Sequence, residues 1–485
     1  MDSAPEAGAP ALFLFSHDLR LDDHAGLTEA TRHGAVVPAL VLDPTLRERA
    51  ERSPRRAAFF YGAALSLARS LQERGARLIV RRGPLISATK RLAREVGART
   101  VAMSAQYDAT SAGRQRRLQS SLEESGLRVA LVHDAPAVPP DATASVRSAE
   151  GGTGYRAFAP YFAAWVQQAR TPLGVKVRFA APEVSSEELP APSEFDAAHC
   201  EGPSEARAMN ALDAYLAGPA LQYLTARNVP SSEATSRLSG DLSFGTISAR
   251  TVLARIDERM RDPFLLAEER RSLRELVRAL AQRDFFLQLA WFFEGSPDAL
   301  LQERMRRFPS ARSHAGLGAW RDGRTGFALI DAGIRQLHAT GWMHPRVRLV
   351  AASFLCFDLG VDWRVGRDEW ERYLVEDEPA LANGNWQWSA GVGADLAQFP
   401  RIYNPVKQLR SFDPRAAYAR TWLPELAAVP DVDILDPTGA TRRMQLSLPL
   451  FDGSTYPKPI VDHDQAARAF LARYAGFIKN AGVRR

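Results

Sequence analysis

The chain of 485 residues has only two cysteines, Cys200 and Cys356. Their wide separation argues against a disulfide framework and for a reducing, cytoplasmic compartment. It also excludes a four-thiolate iron–sulfur cluster. No HExxH or CxxC pattern occurs and the nine histidines are scattered, so no protein-bound metal is expected. No apolar run approaches the ~20 residues that span a bilayer, which speaks against a membrane protein. The opening MDSAPEAGAPALFLFSHDLR has no basic stretch ahead of its apolar run, so a signal peptide is not expected. A glycine-rich GxGxxG after the first apolar run is missing as well.

What is present is ordinary globular material, 46% hydrophobic and 24% charged. That is enough to build cores of normal size in two or three domains. The formal net charge of +6 fits a polyanionic partner only if arginines converge on one surface, because phosphate neutralisation is local.

The first 135 residues or so alternate apolar runs with helical patterns, which predicts a Rossmann-like α/β domain with a parallel sheet over residues 8–135. The expected strands are Ala11–Ser16, Ala35–Asp43, Arg77–Gly83, Arg99–Ala105 and Arg128–Asp134. Arg55–Arg74 and Ser87–Val96 carry apolar residues at helical spacing. A connector over 136–205 is rich in Pro, Ser and Gly at its two ends. From 206 to 485 amphipathic helices dominate, which predicts an all-α C-terminal domain, and a final helix is expected near Asp464–Asn480. Eight of the nine tryptophans fall at or after Trp291.

Within Ala319–Pro405 a series of phrases follows one after another: GRTGF, DAGIRQL, TGWMHPRVR, ASFL, DWRVG, NWQW and RIYNP. With TSRLSGDLSFGTIS at Thr235–Ser248, YRAFAPYFAAW at Tyr155–Trp165 and DLRLDD at Asp18–Asp23, the chain resembles the photolyase/cryptochrome family over nearly its whole length. The resemblance implies an N-terminal antenna-type domain and an FAD-binding helical domain. It also implies FAD as cofactor, with a second antenna chromophore of unspecified identity.

Several residues acquire roles through that resemblance. Thr235, Ser236, Arg237, Leu238 and Ser239 match the stretch that holds the FAD diphosphate, a task suited to hydroxyls and backbone N–H groups heading a helix. By residue chemistry alone the same stretch reads as a helix cap. Tyr223 matches another cofactor contact. Arg348 and Glu376 match an arginine–carboxylate pair beside the flavin ring, where a guanidinium favours an anionic reduced flavin. Glu378 aligns with a second acid nearby. Trp386 and Trp363 match two members of an electron-transfer chain, whereas the third would fall near Ser310 and is absent. Trp320, Trp370 or Tyr373 are the alternatives for that exit. Arg227, Arg283, Arg346 and Arg401 match positions facing DNA, and Trp388 matches an aromatic that stacks on a flipped-out lesion.

The pattern also breaks at the chemistry. Ala382 stands opposite the flavin N5, where relatives carry Asn or Asp, and a methyl group neither donates nor accepts; neighbouring Asn383 would substitute only with a shift of backbone register. Ala279, Gln282 and Pro345 replace an acid, an aromatic wall and an amide of the lesion pocket. The segment around Tyr107, SAQYDATS, lacks the Asn-Glu pair that holds a folate in some relatives. The expected activity is that of a deoxyribodipyrimidine photolyase-like carbon–carbon lyase, a monomeric protein acting on UV-damaged DNA. The alternative is a cryptochrome-type blue-light photoreceptor without repair, working through a signalling partner.

Overall fold

The computed structural model describes residues 8–480 except 145–153, 169, 171, 175, 197–201, 294, 296–297, 303–304, 307, 309–315, 395–399 and 438–455. Five strands form one parallel sheet: β1 (Ala11–Phe15), β2 (Val36–Leu42), β3 (Ile79–Arg82), β4 (Thr100–Ser104) and β5 (Arg128–Val132). Each lies inside the range its apolar run predicts. Strands β1, β2 and β4 are buried at every position, because helices cover both faces of such a sheet and the strands read as continuous apolar runs. At the edge, β5 is partly exposed.

The sheet order is β3-β2-β1-β4-β5. Strand order therefore reverses between β1 and β4, the switch point at which parallel α/β sheets open a crevice at their carboxyl ends. Helices Pro54–Glu73, Leu85–Glu95 and Ala109–Glu123 make crossovers. The first two coincide closely with the helical spacing at Arg55–Arg74 and Ser87–Val96.

Contacts divide the chain into two compact units that do not follow sequence order. One holds residues 1–223, 236–297 and 375–381; the other holds 224–235, 298–374 and 382–485. The expected border between connector and helical domain at 205/206 is therefore not where the contacts divide. The reason is local contact: Glu205, at the start of helix Glu205–Ala217, accepts from the Leu21 and Asp22 N–H groups, and Leu287 and Ala290 of the 27-residue helix Ala267–Phe293 pack with Ala105 and Tyr107. Asp284, in the middle of the long helix, accepts from the indole N–H of Trp165 at 2.9 Å and from the backbone N–H of Val138 at 3.1 Å.

The α/β unit is tied to the turn after β1 at Gly245. Its φ of +68° is left-handed, and a Cβ there would lie 2.6 Å from Asp18 Cα, so only glycine fits both conformation and space. The neighbouring Phe244 carbonyl accepts from Leu19 N–H at 2.9 Å, which seats the SFGTIS turn on SHDLR.

The second unit is helical and aromatic. Its core joins helices Leu317–Arg321, Ala328–Thr340, Pro345–Ser353 and Trp363–Trp370 around Trp320, Trp363, Trp370 and Trp386. A π-helical turn, Phe354–Asp358, continues the third of these. The last helix, His463–Asn480, begins one residue before the sequence expectation. Among the described residues no helix is long and apolar enough to cross a membrane.

Candidate flavin and DNA site

The diphosphate candidates from Ser236 onward belong to the first unit and form a tight bend at helix Ser239–Phe244. Arg237 adopts φ +53°, a conformation uncommon for a residue with a Cβ that orients its neighbours. Ser236 Oγ accepts from Leu238 N–H at 3.4 Å. No side-chain hydrogen bond caps the helix, so the capping alternative does not describe this stretch. Thr235, Ser236 and Ser239 are half-buried and Arg237 is exposed. Hydroxyls, uncapped N–H groups and a guanidinium make a donor set that suits a diphosphate.

Ser239 Oγ donates to Glu376 Oε2 at 3.5 Å. Glu376 opens a run of three acids with three different surroundings. Asp377 is buried and meets His17 at 2.9 Å, Arg49 at 3.0 Å and Arg56 at 3.6 Å. Burial alone would raise its carboxyl, yet the two guanidiniums and His17 hold it well below the usual carboxylate range. Glu378 Oε2 accepts from Arg283 at 2.9 Å, and burial pushes this carboxyl up.

That contact corrects the placement of Arg283. It is buried at 8% exposure, and its guanidinium donates to Ala135 O, Leu242 O and Glu378. It fixes an acid and presents no cation to a DNA backbone. The cause is its helical phase: Arg283 lies on the inward face beside Asp284, whereas Gln282 is exposed.

Around Tyr107 the protein supplies its own aromatic cluster. The phenol and His133 Nδ1 are 2.8 Å apart, and the Trp291 ring lies 4.7 Å from His133. A separate cavity of about 80 Å³ opens at the ends of β1, β2 and β4. It is lined by Ser16, Gln106, Arg49 and Arg114 among others, beside the switch point.

In the second unit Trp386 is buried in helix Pro379–Ser389, with Trp370 at 4.5 Å between ring centroids. Trp370 stacks in turn on Trp320 at 5.9 Å and 14°. Ser310 lies outside the described residues. Trp363 is also buried, with guanidinium carbons of Arg364 and Arg367 at 4.8 and 5.1 Å from its ring centre. Arg367 also donates to Asn383 Oδ1 at 2.8 Å, so that amide oxygen is engaged by a neighbour. Ala382 is half-buried.

Arg348 Nε donates to Met343 O at 2.8 Å, which orients its guanidinium from the start of its own helix. Arg346 is half-buried over the Phe412 ring at 4.9 Å and donates to Asn228 Oδ1 at 2.7 Å. Burial, with a smaller contribution from the Arg227 charge, lowers its pKa. Arg401 is exposed, with its guanidinium carbon 5.8 Å from the Trp388 ring centre. Tyr223 is half-buried in the first unit. Among the described residues no group of three or more His, Cys, Asp or Glu could hold a metal ion.

Sequence reasoning passed over Asp377 and the Tyr107–His133–Trp291 cluster. The acidic run EDE was the available signal for the first. For the second there was none, since its members are far apart in the chain.

Residues 11–183 match the DNA photolyase family and 276–476 match the FAD binding domain of DNA photolyase. A deoxyribodipyrimidine photo-lyase of Streptomyces griseus is 36% identical over 477 residues, covering 95% of this chain and 98% of that protein. The chain belongs to the DNA photolyase family. Among solved structures, a class III photolyase from Agrobacterium tumefaciens superposes with TM-score 0.83 at 29% identity, covering 99% of both chains. A Synechocystis cryptochrome gives 0.83 at 26% identity, over 97% of this chain and all of that one. An archaeal photolyase from Sulfolobus tokodaii, solved with two FAD molecules, gives 0.79 at 27%, over 96% of this chain and all of that one.

Proposed function

We propose that this chain is a blue-light-driven DNA repair lyase that binds FAD and splits UV-induced pyrimidine dimers. The observation that carries this reading is near full-length identity of 36% to a deoxyribodipyrimidine photo-lyase, and the positions of Arg346 and Arg401 beside aromatic rings support it. Bound FAD, reduced and excited by blue light, supplies the electron that opens the cyclobutane ring; the protein supplies binding, orientation and electrostatics.

Within the chain, Thr235, Ser236, Arg237, Leu238 and Ser239 hold the diphosphate, and Tyr223 is a further cofactor contact. For a bound flavin, Glu376 and Glu378 of the first unit would supply acids, and in the second unit Arg348 would supply positive charge and Ala382 an apolar surface. Arg227, Arg346 and Arg401 contact phosphates, and Trp388 offers a flat face to an extruded base. Trp386 and Trp363 would serve as electron carriers toward a bound flavin, and Trp370 and Trp320 stack behind Trp386. The crevice beside the switch point is the seat we propose for a second chromophore, consistent with the two FAD molecules of the Sulfolobus relative.

The test is repair of duplex DNA carrying a defined cyclobutane dimer by FAD-loaded protein under blue light. Repair is expected, and it falls at least 10-fold in W388A while bound FAD is unchanged. Flavin loading with no repair at any enzyme concentration overturns the reading. A cryptochrome-type receptor is the second reading, favoured by Ala279, Gln282, Pro345 and Ala382 in place of lesion and N5 contacts. Losing buried hydrogen-bond partners costs about 1–3 kcal/mol each. Light-dependent partner binding without repair selects that reading.

A further inference from the structure

Besides the flavin and DNA residues, the aromatic unit contains a cavity of about 230 Å³ with Trp363 in its wall. Phe308, Phe357 and Phe470 supply further aromatic surface, and Arg306, Arg364 and Arg473 supply cations. Two carboxylates also line it, Asp298 and Asp362. Both are already engaged: Arg364 lies 3.0 Å from Asp362 and 3.8 Å from Asp298, and Arg367 lies 2.9 Å from Asp298.

Arg473 is different. Its guanidinium rests over the rings of Phe308 and Phe470 at 5.4 and 5.3 Å. Among the described residues no carboxylate stands within ion-pair distance of it. Arg473 therefore brings to the wall a positive charge that no carboxylate among the described residues offsets.

Aromatic walls favour a flat ring, and a guanidinium without a carboxylate favours a carboxylate ligand. The volume suits one or two fused rings rather than a nucleotide. We propose that this cavity binds a small planar aromatic anion, in chemical class a hydroquinone carboxylate, which returns electrons to Trp363. The site itself stands on the cavity; the electron role rests on the light-driven reading of the function.

Electrons and protons balance in this step. Once Trp363 has given an electron toward Trp386, it is an indole radical cation. The bound hydroquinone gives it one electron and releases one phenolic proton to water. Trp363 returns to its closed-shell state, and the donor leaves as a phenoxyl radical. No covalent bond between them forms or breaks.

The probe is gentisate, 2,5-dihydroxybenzoate, titrated in the dark into full-length, FAD-loaded protein by calorimetry. Saturable binding is expected. It should weaken at least 10-fold in R473A, at least 10-fold for neutral hydroquinone, and vanish in A390F, which fills the cavity. Circular dichroism melting of each variant separates these effects from misfolding. Under blue light, the flavin reduction rate should saturate in gentisate at the dark dissociation constant, and W363F should remove the gentisate-dependent part. Absent binding, or binding indifferent to both R473A and A390F, overturns the site. A rate that rises linearly with gentisate overturns the electron role. If no donor, dithiothreitol included, supports light-driven reduction, the light-driven reading fails, and dark binding still decides the site.

Discussion

The α/β unit and the aromatic unit solve the problem of a functional interior by opposite means. The first buries charge. Arg20 and Arg250 meet Asp134 at 2.7 and 3.0 Å, and Asp377 sits among Arg49, Arg56 and His17. The second buries indoles, with Trp386, Trp370 and Trp320 in a row. Buried ions are directional and costly to leave unpaired, so the first arrangement fixes backbone positions. Indoles pack by area and tolerate rotation within a stack, so the second fixes distances between polarisable rings.

That contrast can be broken from the ionic side first. D377A leaves three basic groups around a buried site without their shared acid. Removing one partner of a buried pair typically costs about 3–5 kcal/mol, to be read from urea unfolding at pH 7. A loss under about 1 kcal/mol would mean that the cluster is solvated and does not fix the backbone.

Asp284 gives the next largest effect. Burial raises its carboxyl to about 6, above its unfolded value. The native state therefore holds this proton more tightly than the unfolded chain does. Its contribution is fully present below about pH 4 and is lost as pH rises through 6. A difference of one pKa unit between the folded and unfolded chain is worth about 1.4 kcal/mol, so wild type should lose about 3 kcal/mol relative to D284N across that window. Parallel urea midpoints for the two proteins from pH 4 to 7 would remove Asp284 from this role.

The aromatic side gives the smallest change in stability. A Cβ on Gly366 would lie 2.2 Å from Trp386 Cη2 and 2.4 Å from Leu355 Cδ2. G366A should cost about 1–3 kcal/mol by overpacking. It should also shift the near-UV circular dichroism of the tryptophans, because the Trp386 ring must move. An unchanged near-UV spectrum would show that the backbone yields instead of the indole.

The α/β half was legible because its code is local. Five apolar runs at parallel-sheet spacing give five strands, and the two helices read between them fall within two residues of their observed ends. The grouping of the helices was not legible, because burial of Asp284 against Trp165 joins residues 119 apart. The site was legible unevenly. The Thr235–Ser239 stretch reads from its residues as a helix cap and takes a diphosphate role only from the resemblance, while Arg346 and Arg401 lie beside aromatics. Arg283 was not legible: sequence shows a basic residue, and only helical phase decides whether it faces solvent or Glu378. Trp370 and Trp320 were visible as tryptophans, but their stacking depends on which helices cross.

The acids at 376–378 carry one further consequence. Asp377 is clamped from three directions, so the chain on either side of it is pinned whatever Glu376 and Glu378 become. Selection can then alter the neighbours as independent tuning positions without jeopardising the scaffold. Substitutions at Glu376 and Glu378 then change the local charge while the backbone between them stays held.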